Sequence, residues 1–371
     1  MRYASSSPKK MTDIEPRRGI SPSAGGEAPR NARPFIIPVF IPHAGCPHRC
    51  VFCNQHVITG QAEAIPSPEN VHSHIQRFLA FKKSFRTPVQ VSFYGGNFLG
   101  LKETVLHQLL ETATRFVRTG EIHGIRFSTR PETVTPHRID GIRHYPIQTV
   151  EIGVQSMDDR VLKLSQRGHT PRHTRTACRT LRESGYEIGL QMMVGLPGDD
   201  DACAMQTAAR MADLLPDFVR IYPTLVLKNS LLAQWYRQGT YTPLTLESAV
   251  MLVKDLYLFF RKKHIPVIRM GIQASDELIG PDAIVAGPYH PAFGHLVHSK
   301  IFLDRATAGL ASKTGPVSKV VFAVHPGSIP KMRGLKNANL QQLKATFKIQ
   351  SITVVADASL SPDALRVEAC E

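Results

Sequence analysis

Residues 43–55 read HAGCPHRCVFCNQ, and the three cysteines in this stretch, Cys46, Cys50 and Cys53, are its most informative feature. A structural zinc site normally takes four ligands in two clustered pairs, and this chain has no fourth cysteine nearby. A four-iron four-sulfur cluster can be held by three thiolates, which leaves the fourth iron open to another ligand. The spacing therefore predicts a [4Fe-4S] cluster, while the two histidines of the stretch keep a zinc site as the alternative.

The composition of the 371-residue chain is that of a globular protein with a basic excess. The hydrophobic fraction of 42% allows a sizeable core, and no apolar stretch approaches the roughly 18 residues of a transmembrane helix. Forty-five basic and 30 acidic residues give a net charge of +15. Residues 300–350 contain nine Lys or Arg and one acid, Asp304. Such a stretch is either a solvated face or the electrostatic footprint of a phosphate-rich partner.

The first 33 residues are polar, rich in Pro, Gly and Ser, and lack the apolar stretch of a secretory signal. We interpret residues 1–33 as a disordered basic leader. The remaining cysteines, Cys178, Cys203 and Cys370, are scattered and show no disulfide framework. A reducing cytoplasm is therefore the expected compartment, and one cluster the expected number.

Short β-rich runs alternate with longer helical patterns after the leader. The predicted strands are Phe35–Ile41, Val89–Tyr94, Ile125–Thr129, Thr149–Val154, Glu187–Val194 and Phe218–Tyr222. Helical spacing covers Leu101–Arg118, and a second helix runs from Thr170 as N-cap, through Pro171, to a stop at Gly185. Repeated strand–helix alternation predicts parallel strands with right-handed crossovers. The expected α/β fold is an incomplete (β/α)6 TIM-like barrel, which a strand near Val267–Ile272 could extend.

The unusual residues fall at one end of the predicted strands. In barrels of this kind, chemistry takes place in loops at the C-terminal ends of the strands. The cysteine loop follows the first strand. The later strands end at Gly95-Gly96-Asn97, Arg130-Pro131-Glu132, Gln155, Gly195-Leu196-Pro197 and Pro223-Thr224. The candidate site therefore lies on one rim of the barrel.

The CxxxCxxC spacing, with Phe52 before the last cysteine, resembles the radical S-adenosylmethionine (SAM) superfamily. The resemblance implies that SAM binds the open iron and is cleaved to a 5′-deoxyadenosyl radical, with an external electron donor of the flavodoxin or ferredoxin type. The stretches FSTRPETV, VEIGVQSMDDRVLKLSQRGHT, MMVGLPGD and RIYPTLVLKNSLLAQWYRQGTY resemble the elongator catalytic subunit. Oxygen-independent coproporphyrinogen dehydrogenases share the same skeleton, and the likeness covers most of residues 35–275.

The resemblance implies a first group of SAM contacts in the FYGGN stretch. Gly95 and Gly96 match the superfamily's motif for the amino group of SAM, and Asn97 occupies a position that often carries Glu or Thr. Gly96 and Asn97 also match methionine-side contacts of the coproporphyrinogen dehydrogenases. On its own, a glycine pair after a strand is often only a turn.

A second group of implied contacts comes from later strands. Gln155 and Arg167 match polar SAM contacts, Gln191 stands where an Asp usually reaches the nucleoside, and Ser128 replaces a Glu beside the SAM. A guanidinium fork would suit the SAM carboxylate. The alternatives are that Arg167 is a solvated loop arginine and that Gln155 satisfies its own loop backbone.

The chain after the radical SAM-like core differs from the elongator subunit. We expect a core over residues 34–284 and a small C-terminal α+β extension over residues 285–371. The elongator subunit's acetyltransferase domain is not expected here, because too few residues follow the core and no acetyl-CoA-type glycine loop is seen.

Within the extension, one stretch resembles the core of a KH domain. Gly334, Asn337, Leu340 and Leu343 follow the GxxGxxIxxI spacing, with Asn in place of the second Gly, and a strand at Ile349–Val355 is predicted to follow. In KH domains the GxxG loop clamps a nucleic-acid backbone. The candidate RNA contacts are therefore Lys331, Arg333, Gly334, Lys336 and Asn337. The alternative is an ordinary amphipathic helix that covers the open end of the barrel.

Three functions remain possible from the sequence. The favoured one is a radical SAM enzyme that acts on RNA, and specifically on tRNA, as the charge pattern and the elongator likeness indicate. The second is the same chemistry on a small molecule such as a porphyrin precursor. The third is a non-catalytic RNA-binding or scaffold protein that retains the cluster.

Overall fold

The computed structural model describes residues 34–41, 43–55, 65–82, 88–272, 283–313 and 317–370. The predicted leader at residues 1–33 lies outside these ranges and stays a prediction. Among the helices in these ranges, none is both long and apolar enough to cross a membrane.

The described part of the chain contains twelve strands. They are β1 (Phe35–Phe40), β2 (Val89–Tyr94), β3 (Gly124–Thr129), β4 (Ile147–Gln155), β5 (Glu187–Val194), β6 (Phe218–Pro223), β7 (Val226–Leu227), β8 (Val267–Met270), β9 (Ile284–Ala286), β10 (Lys319–Val324), β11 (Ser351–Ala356) and β12 (Leu365–Cys370). Seven of them form one parallel sheet in the order β1-β2-β3-β4-β5-β6-β8. The sheet is an incomplete barrel with β1 and β8 at its two edges, which confirms the predicted fold class and the anticipated seventh strand.

The strands of the barrel form because apolar and polar side chains alternate along them. In β3, Ile125 and Phe127 are fully buried, while Arg126 and Ser128 occupy the alternate positions. Since successive side chains in a strand point to opposite faces, one face packs on helices and the other lines the interior of the barrel. We call this interior the lumen. Its polar lining brings the chemistry-bearing residues of different strands together.

Eleven α-helices connect and cover the strands in the described part. They are α1 (Pro68–Phe81), α2 (Glu103–Arg118), α3 (Pro136–Ile142), α4 (Asp159–Leu164), α5 (Pro171–Glu183), α6 (Asp201–Ala212), α7 (Leu231–Arg237), α8 (Leu246–Lys262), α9 (Phe293–Ala311), α10 (Ile329–Arg333) and α11 (Ala338–Phe347). The predicted N-cap at Thr170 is confirmed, because its side chain and that of His173 form a reciprocal capping box. Helix α2 begins two residues later than predicted, since Leu101 ends the preceding turn.

The C-terminal part has its own small core. Helix α9 packs against α8 of the barrel and also against α10, α11 and β12. A three-stranded sheet of order β11-β10-β12 lies beside them, with Phe322 and Met332 fully buried in a separate apolar cluster. This is the predicted α+β extension. The predicted boundary between residues 284 and 285 falls inside β9, which pairs with β7, so the division into domains stays a prediction.

Candidate functional site

The cysteine loop, residues 43–55, leaves the end of β1 and packs against the loop that follows β2. The backbone N–H of Asn97 donates to the Ala44 carbonyl oxygen at 2.7 Å, and a Cβ on Gly96 would lie 2.2 Å from that same oxygen. The two backbones are in contact, so only glycine fits at position 96. The glycine pair of FYGGN therefore holds the cysteine loop in place.

Cys50 is the buried member of the three predicted cluster ligands, and two guanidinium groups face its sulfur. Arg167 Nη1 lies 3.1 Å and Arg130 Nη1 lies 3.5 Å from Cys50 Sγ. Burial raises the pKa of Cys50, but the charges and hydrogen bonds of the two arginines outweigh it and hold that pKa below its ordinary value. The arginines thus stabilise the thiolate, which is the form that binds iron.

The other two cysteines share this environment. Burial is the main reason that the pKa of Cys46 rises to about 11 and that of Cys53 to about 12, and the charge of Cys50 contributes to both. Within the described ranges, no three His, Cys, Asp or Glu side chains converge closely enough to bind a single metal ion. In a four-iron cluster each thiolate binds its own iron, so the sulfurs stand further apart than ligands around one zinc. Binding of a [4Fe-4S] cluster by the three cysteines, rather than of zinc, stays a prediction.

Asn97 is completely buried, and its side chain is bonded to protein. Its Oδ1 accepts hydrogen bonds from Thr129 Oγ1 at 2.7 Å and Thr133 Oγ1 at 2.9 Å. The backbone amide of Arg130 donates to the same oxygen at 3.0 Å, and Asn97 Nδ2 donates to the Gly45 carbonyl at 2.8 Å. Asn97 therefore ties the cysteine loop to the end of β3. Its role as a SAM contact stays a prediction.

Gln155 and Arg167 converge on Gly153 at the end of β4. A Cβ on Gly153 would lie 3.0 Å from Gln155 Nε2 and 3.4 Å from Arg167 Nη2. Arg167 Nη2 donates to the Gly153 carbonyl at 2.7 Å, so the Nε of this guanidinium is the nitrogen left without a hydrogen-bond partner. Gln155 Oε1 is also buried and unpartnered. Because buried polar atoms are normally hydrogen-bonded, these two fit a polar ligand such as SAM.

Ser128 and Gln191, the remaining predicted SAM contacts, lie together in the lumen. Gln191 Nε2 is 3.4 Å from Ser128 Oγ and donates to Glu151 Oε2 at 2.9 Å. Glu151 is fully buried, and Arg220 contacts both of its oxygens at 2.8 and 2.9 Å. Tyr94 Oη lies 3.4 Å from Glu151 Oε1. The predicted contacts thus form two groups, one on the rim and one in the lumen.

Several charged or titratable residues of this site had no role in the sequence analysis. Glu132 forms an ion pair with Arg130, and its Oε2 lies 3.6 Å from His169 Nδ1. Burial lowers the pKa of His169 to about 2, with the nearby arginine charges adding to the effect. For Glu151 and Arg220 a signal existed, because a charged residue inside a strand that is otherwise apolar needs a buried partner.

The predicted RNA contacts lie in the C-terminal part, with Lys331 and Arg333 in α10 and the other three on the loop between α10 and α11. Gly334 and Asn337 both have positive φ angles, of 71° and 64°, and Asn337 is left-handed, which Asn tolerates. The following strand, β11, begins two residues later and ends one residue later than predicted. This helix–loop–helix–strand order agrees with the KH-like pattern. RNA binding by these residues stays a prediction.

Comparisons with known proteins identify the family of the core. Residues 40–211 match the model of the radical SAM superfamily, and residues 216–302 match the model of the radical SAM C-terminal domain. The two matches cover the barrel strands except residues 35–39 of β1, and they also include the first half of α9.

Two curated relatives and one solved structure extend this result. A tRNA uridine(34) acetyltransferase of Dehalococcoides mccartyi is 27% identical over 57% of this chain and 53% of its own length. An uncharacterised protein of Methanocaldococcus jannaschii is 27% identical over 68% of this chain and 79% of its own. The fold resembles Elp3 of Methanocaldococcus infernus with a TM-score of 0.57, at 20% identity over 74% of this chain and 63% of that one.

The chain therefore spans about half the length of the acetyltransferase that it matches. Its family models, its parallel partial barrel and its three-cysteine loop agree with one another. The chain belongs to the radical SAM superfamily and is a radical SAM enzyme, similar to the elongator catalytic subunit.

Proposed function

We infer that this enzyme uses a [4Fe-4S] cluster on Cys46, Cys50 and Cys53 to cleave SAM reductively, and that its substrate is RNA, specifically tRNA. The observation that carries the chemistry is the contact of two buried arginines, Arg130 and Arg167, with the sulfur of Cys50. Cys50 belongs to the cysteine loop, which the family match includes. When bound, the cluster and SAM together supply a 5′-deoxyadenosyl radical. An electron donor of the flavodoxin or ferredoxin type supplies the electron.

The residues of this chain hold and orient the two cofactors. Arg130 and Arg167 offset the negative charge of the thiolates and cluster, since a buried charge needs a nearby partner. Gln155 Oε1 and Arg167 Nε offer one acceptor and one donor to SAM at the mouth of the lumen. Gln191 and Ser128 lie further along the lumen wall, where the nucleoside would contact them. The wall of strands excludes water from the reacting atoms.

The RNA substrate is supported by relatives and by charge. Curated relatives include tRNA uridine(34) acetyltransferases and elongator complex protein 3 of two yeasts. The net charge of +15 and the basic stretch over residues 300–350 favour a polyanionic partner. Acetyl transfer is not proposed, because the match covers only about half of the acetyltransferase.

Anaerobic reconstitution tests the chemistry. Wild-type protein with iron, sulfide, dithionite and SAM should form 5′-deoxyadenosine. Alanine at Cys46, Cys50 or Cys53 should abolish both the cluster absorbance and this product. Cys203→Ala is the matched control, because Cys203 lies on α6 away from the loop, and it should keep both. A wild-type sample with a full complement of iron that forms no 5′-deoxyadenosine would refute the proposal.

A second experiment tests the substrate class. The reconstituted enzyme is incubated with SAM, a reductant and unmodified tRNA, and the tRNA nucleosides are then analysed by mass spectrometry. We expect a mass change in one nucleoside that depends on SAM and is absent with Cys50→Ala. Unchanged tRNA, combined with normal 5′-deoxyadenosine formation, would remove RNA as the substrate and leave the radical chemistry standing.

A further inference from the structure

The loop between α10 and α11 has an unusual backbone. We call residues 333–337 the basic loop. Gly334 has a φ of 71°, and the non-glycine residues Lys336 and Asn337 have φ angles of 51° and 64°. A left-handed conformation is unfavourable for an ordinary residue. Surrounding structure must therefore hold the basic loop in this shape, and such over-determined strain is typical of ligand clamps.

Asn339 provides the anchor. Its side chain is buried, and its Nδ2 donates to the carbonyls of Ser299 at 2.8 Å and Met332 at 3.1 Å. A Cβ on Gly334 would lie 2.9 Å from the Asn339 side chain, so the chain passes this point only as glycine. The basic loop is thus fastened to α9 and to the end of α10.

In the part of the chain that the structure describes, no acidic side chain neutralises the positive charges of the basic loop or of the neighbouring Lys331. Elsewhere in the C-terminal part, Lys300 pairs with Asp304, and Arg366 pairs with Asp357. Among the residues that the structure describes, Lys331, Arg333 and Lys336 have no acidic partner within ion-pair distance. The side chains of Arg333 and Lys336 are exposed. A polyanion could reach these charges without displacing a protein carboxylate.

A cavity of about 380 Å³ opens beside the basic loop. Its lining combines His295, Ile329 and Pro330 with Arg333, Leu335 and the other residues of the basic loop. Apolar walls next to cationic side chains suit a nucleotide, whose base is apolar on its faces and whose phosphate is anionic. The cavity is wide open to solvent, so a base that a single strand leaves unstacked can reach it, whereas a duplex keeps its bases stacked.

The basic loop lies near the catalytic rim. Strand β8, the last strand of the barrel, ends at Met270, and a Cβ on Gly271 would lie 2.8 Å from Phe293, the first residue of α9. His295, two residues further along α9, lines the cavity of the basic loop. Since parallel strands end at one rim, the basic loop is close to the end of the barrel that carries the cysteine loop. Helix α9, which carries His295, packs against β8, the sheet edge at which the barrel is open.

We propose that the basic loop binds the sugar–phosphate backbone of single-stranded RNA and holds it beside the open edge of the barrel, with Arg333 and Lys336 on phosphates and one base in the cavity. This rests on the proposed RNA substrate. The bound strand would run toward the rim, where a neighbouring nucleotide can enter the lumen.

Charge reversal tests this surface in the full-length, reconstituted protein. The variant is Arg333→Glu with Lys336→Glu. The matched control, Lys262→Glu with Lys263→Glu, makes the same charge change at the C-terminal end of α8, which leads to the opposite end of the barrel. Affinity for a fluorescent ten-nucleotide RNA and for tRNA is measured by anisotropy at several salt concentrations. Thermal melting verifies that both variants are folded.

We expect the basic-loop variant to bind RNA at least about 10-fold more weakly, with a salt slope lower by about 1.4 because two phosphate contacts are lost. The control should stay within about threefold of wild type. Equal losses in both variants, or none in either, would overturn the proposal, as would equal affinity for single-stranded and duplex RNA. Formation of 5′-deoxyadenosine by wild-type protein without RNA tests the radical chemistry separately, so the two failures are distinguishable.

Discussion

Glu151 and Gln155 lie four residues apart on β4, but the oxygens of their side chains differ in whether they have protein partners. In the lumen, both oxygens of Glu151 are contacted, by Arg220 on each and by Gln191 on one. On the rim, Gln155 Oε1 and Arg167 Nε are buried without a hydrogen-bond partner. A completed network contributes to stability, whereas an incomplete one costs stability until a ligand completes it. Arg220 Nε, like Arg167 Nε, makes no hydrogen bond, but it lies 2.8 Å from Glu151 Oε2. The lumen pair is therefore compensated by charge, whereas the two rim atoms have no partner among the described residues.

Replacing Glu151 with Ala should have the largest effect on stability. It leaves the guanidinium of Arg220 buried without its carboxylate, and breaking a buried pair in this way costs about 3–5 kcal/mol. Urea denaturation measures the change. The control is Glu111→Ala, which removes the partner of Arg118 at 2.8 Å from an exposed pair and should cost less than about 1 kcal/mol. Similar costs for the two variants would contradict the structural role of the lumen pair.

The rim depends on close backbone packing, which Gly96→Ala tests. The added Cβ would meet the carbonyl oxygens of Ala44 at 2.2 Å and Ile41 at 2.6 Å, and neither can move without shifting the cysteine loop. We expect a loss of about 1–3 kcal/mol and less iron bound per chain. Gly141→Ala, in α3 with open space around it, should instead be neutral or stabilising by up to about 1 kcal/mol. Full iron content in Gly96→Ala would show that the loop tolerates the shift.

The strands and the long helices were predictable because their periods are local. The alternation in β3 and the Thr170-Pro171 start of α5 need only a few neighbouring residues. The sequence indicated that Glu151 and Arg220 each need a buried partner, but it could not pair them, since they are 69 residues apart and meet only when β4, β5 and β6 pair. The partners of Asn97, Thr129 and Thr133, are also distant in sequence and could not be identified from it. Sequence motifs located the rim, but the division between satisfied and unsatisfied groups needs tertiary structure.

Acid should weaken the rim through His169. The folded protein lowers the pKa of His169 to about 2, so the unfolded chain takes up this proton first as the pH falls. The contribution of neutral His169 is complete above about pH 6.5 and is lost progressively below it, by at most about 1.4 kcal/mol per pH unit. The charged and titratable groups around it are Arg167, Arg130, Glu132 and His173. His169→Gln should therefore flatten the pH dependence of unfolding between pH 5 and 6.5.

The measurement is denaturant unfolding at several pH values in that window. His137→Gln, at an exposed position in α3, is the matched control and should keep the wild-type slope. An unchanged slope in His169→Gln would mean that this imidazole titrates in the folded state as it does in the unfolded chain.

A substitution at Gln155 should have the smallest effect on stability. It separates the rim from the lumen most clearly, because it is expected to stabilise the protein whereas the lumen substitutions destabilise it. Gln155 has a φ of 66°, so Gln155→Gly relieves a left-handed residue and removes the unpartnered Oε1. We expect ligand-free protein to be unchanged or more stable by about 1 kcal/mol, while SAM binds about 10-fold more weakly in calorimetry. Gln191→Ala, which removes a donor to Glu151, should instead destabilise the ligand-free protein. If Gln155→Gly unfolds more easily and binds SAM normally, the rim is a structural network like the lumen, and its unpartnered atoms do not mark the cofactor site.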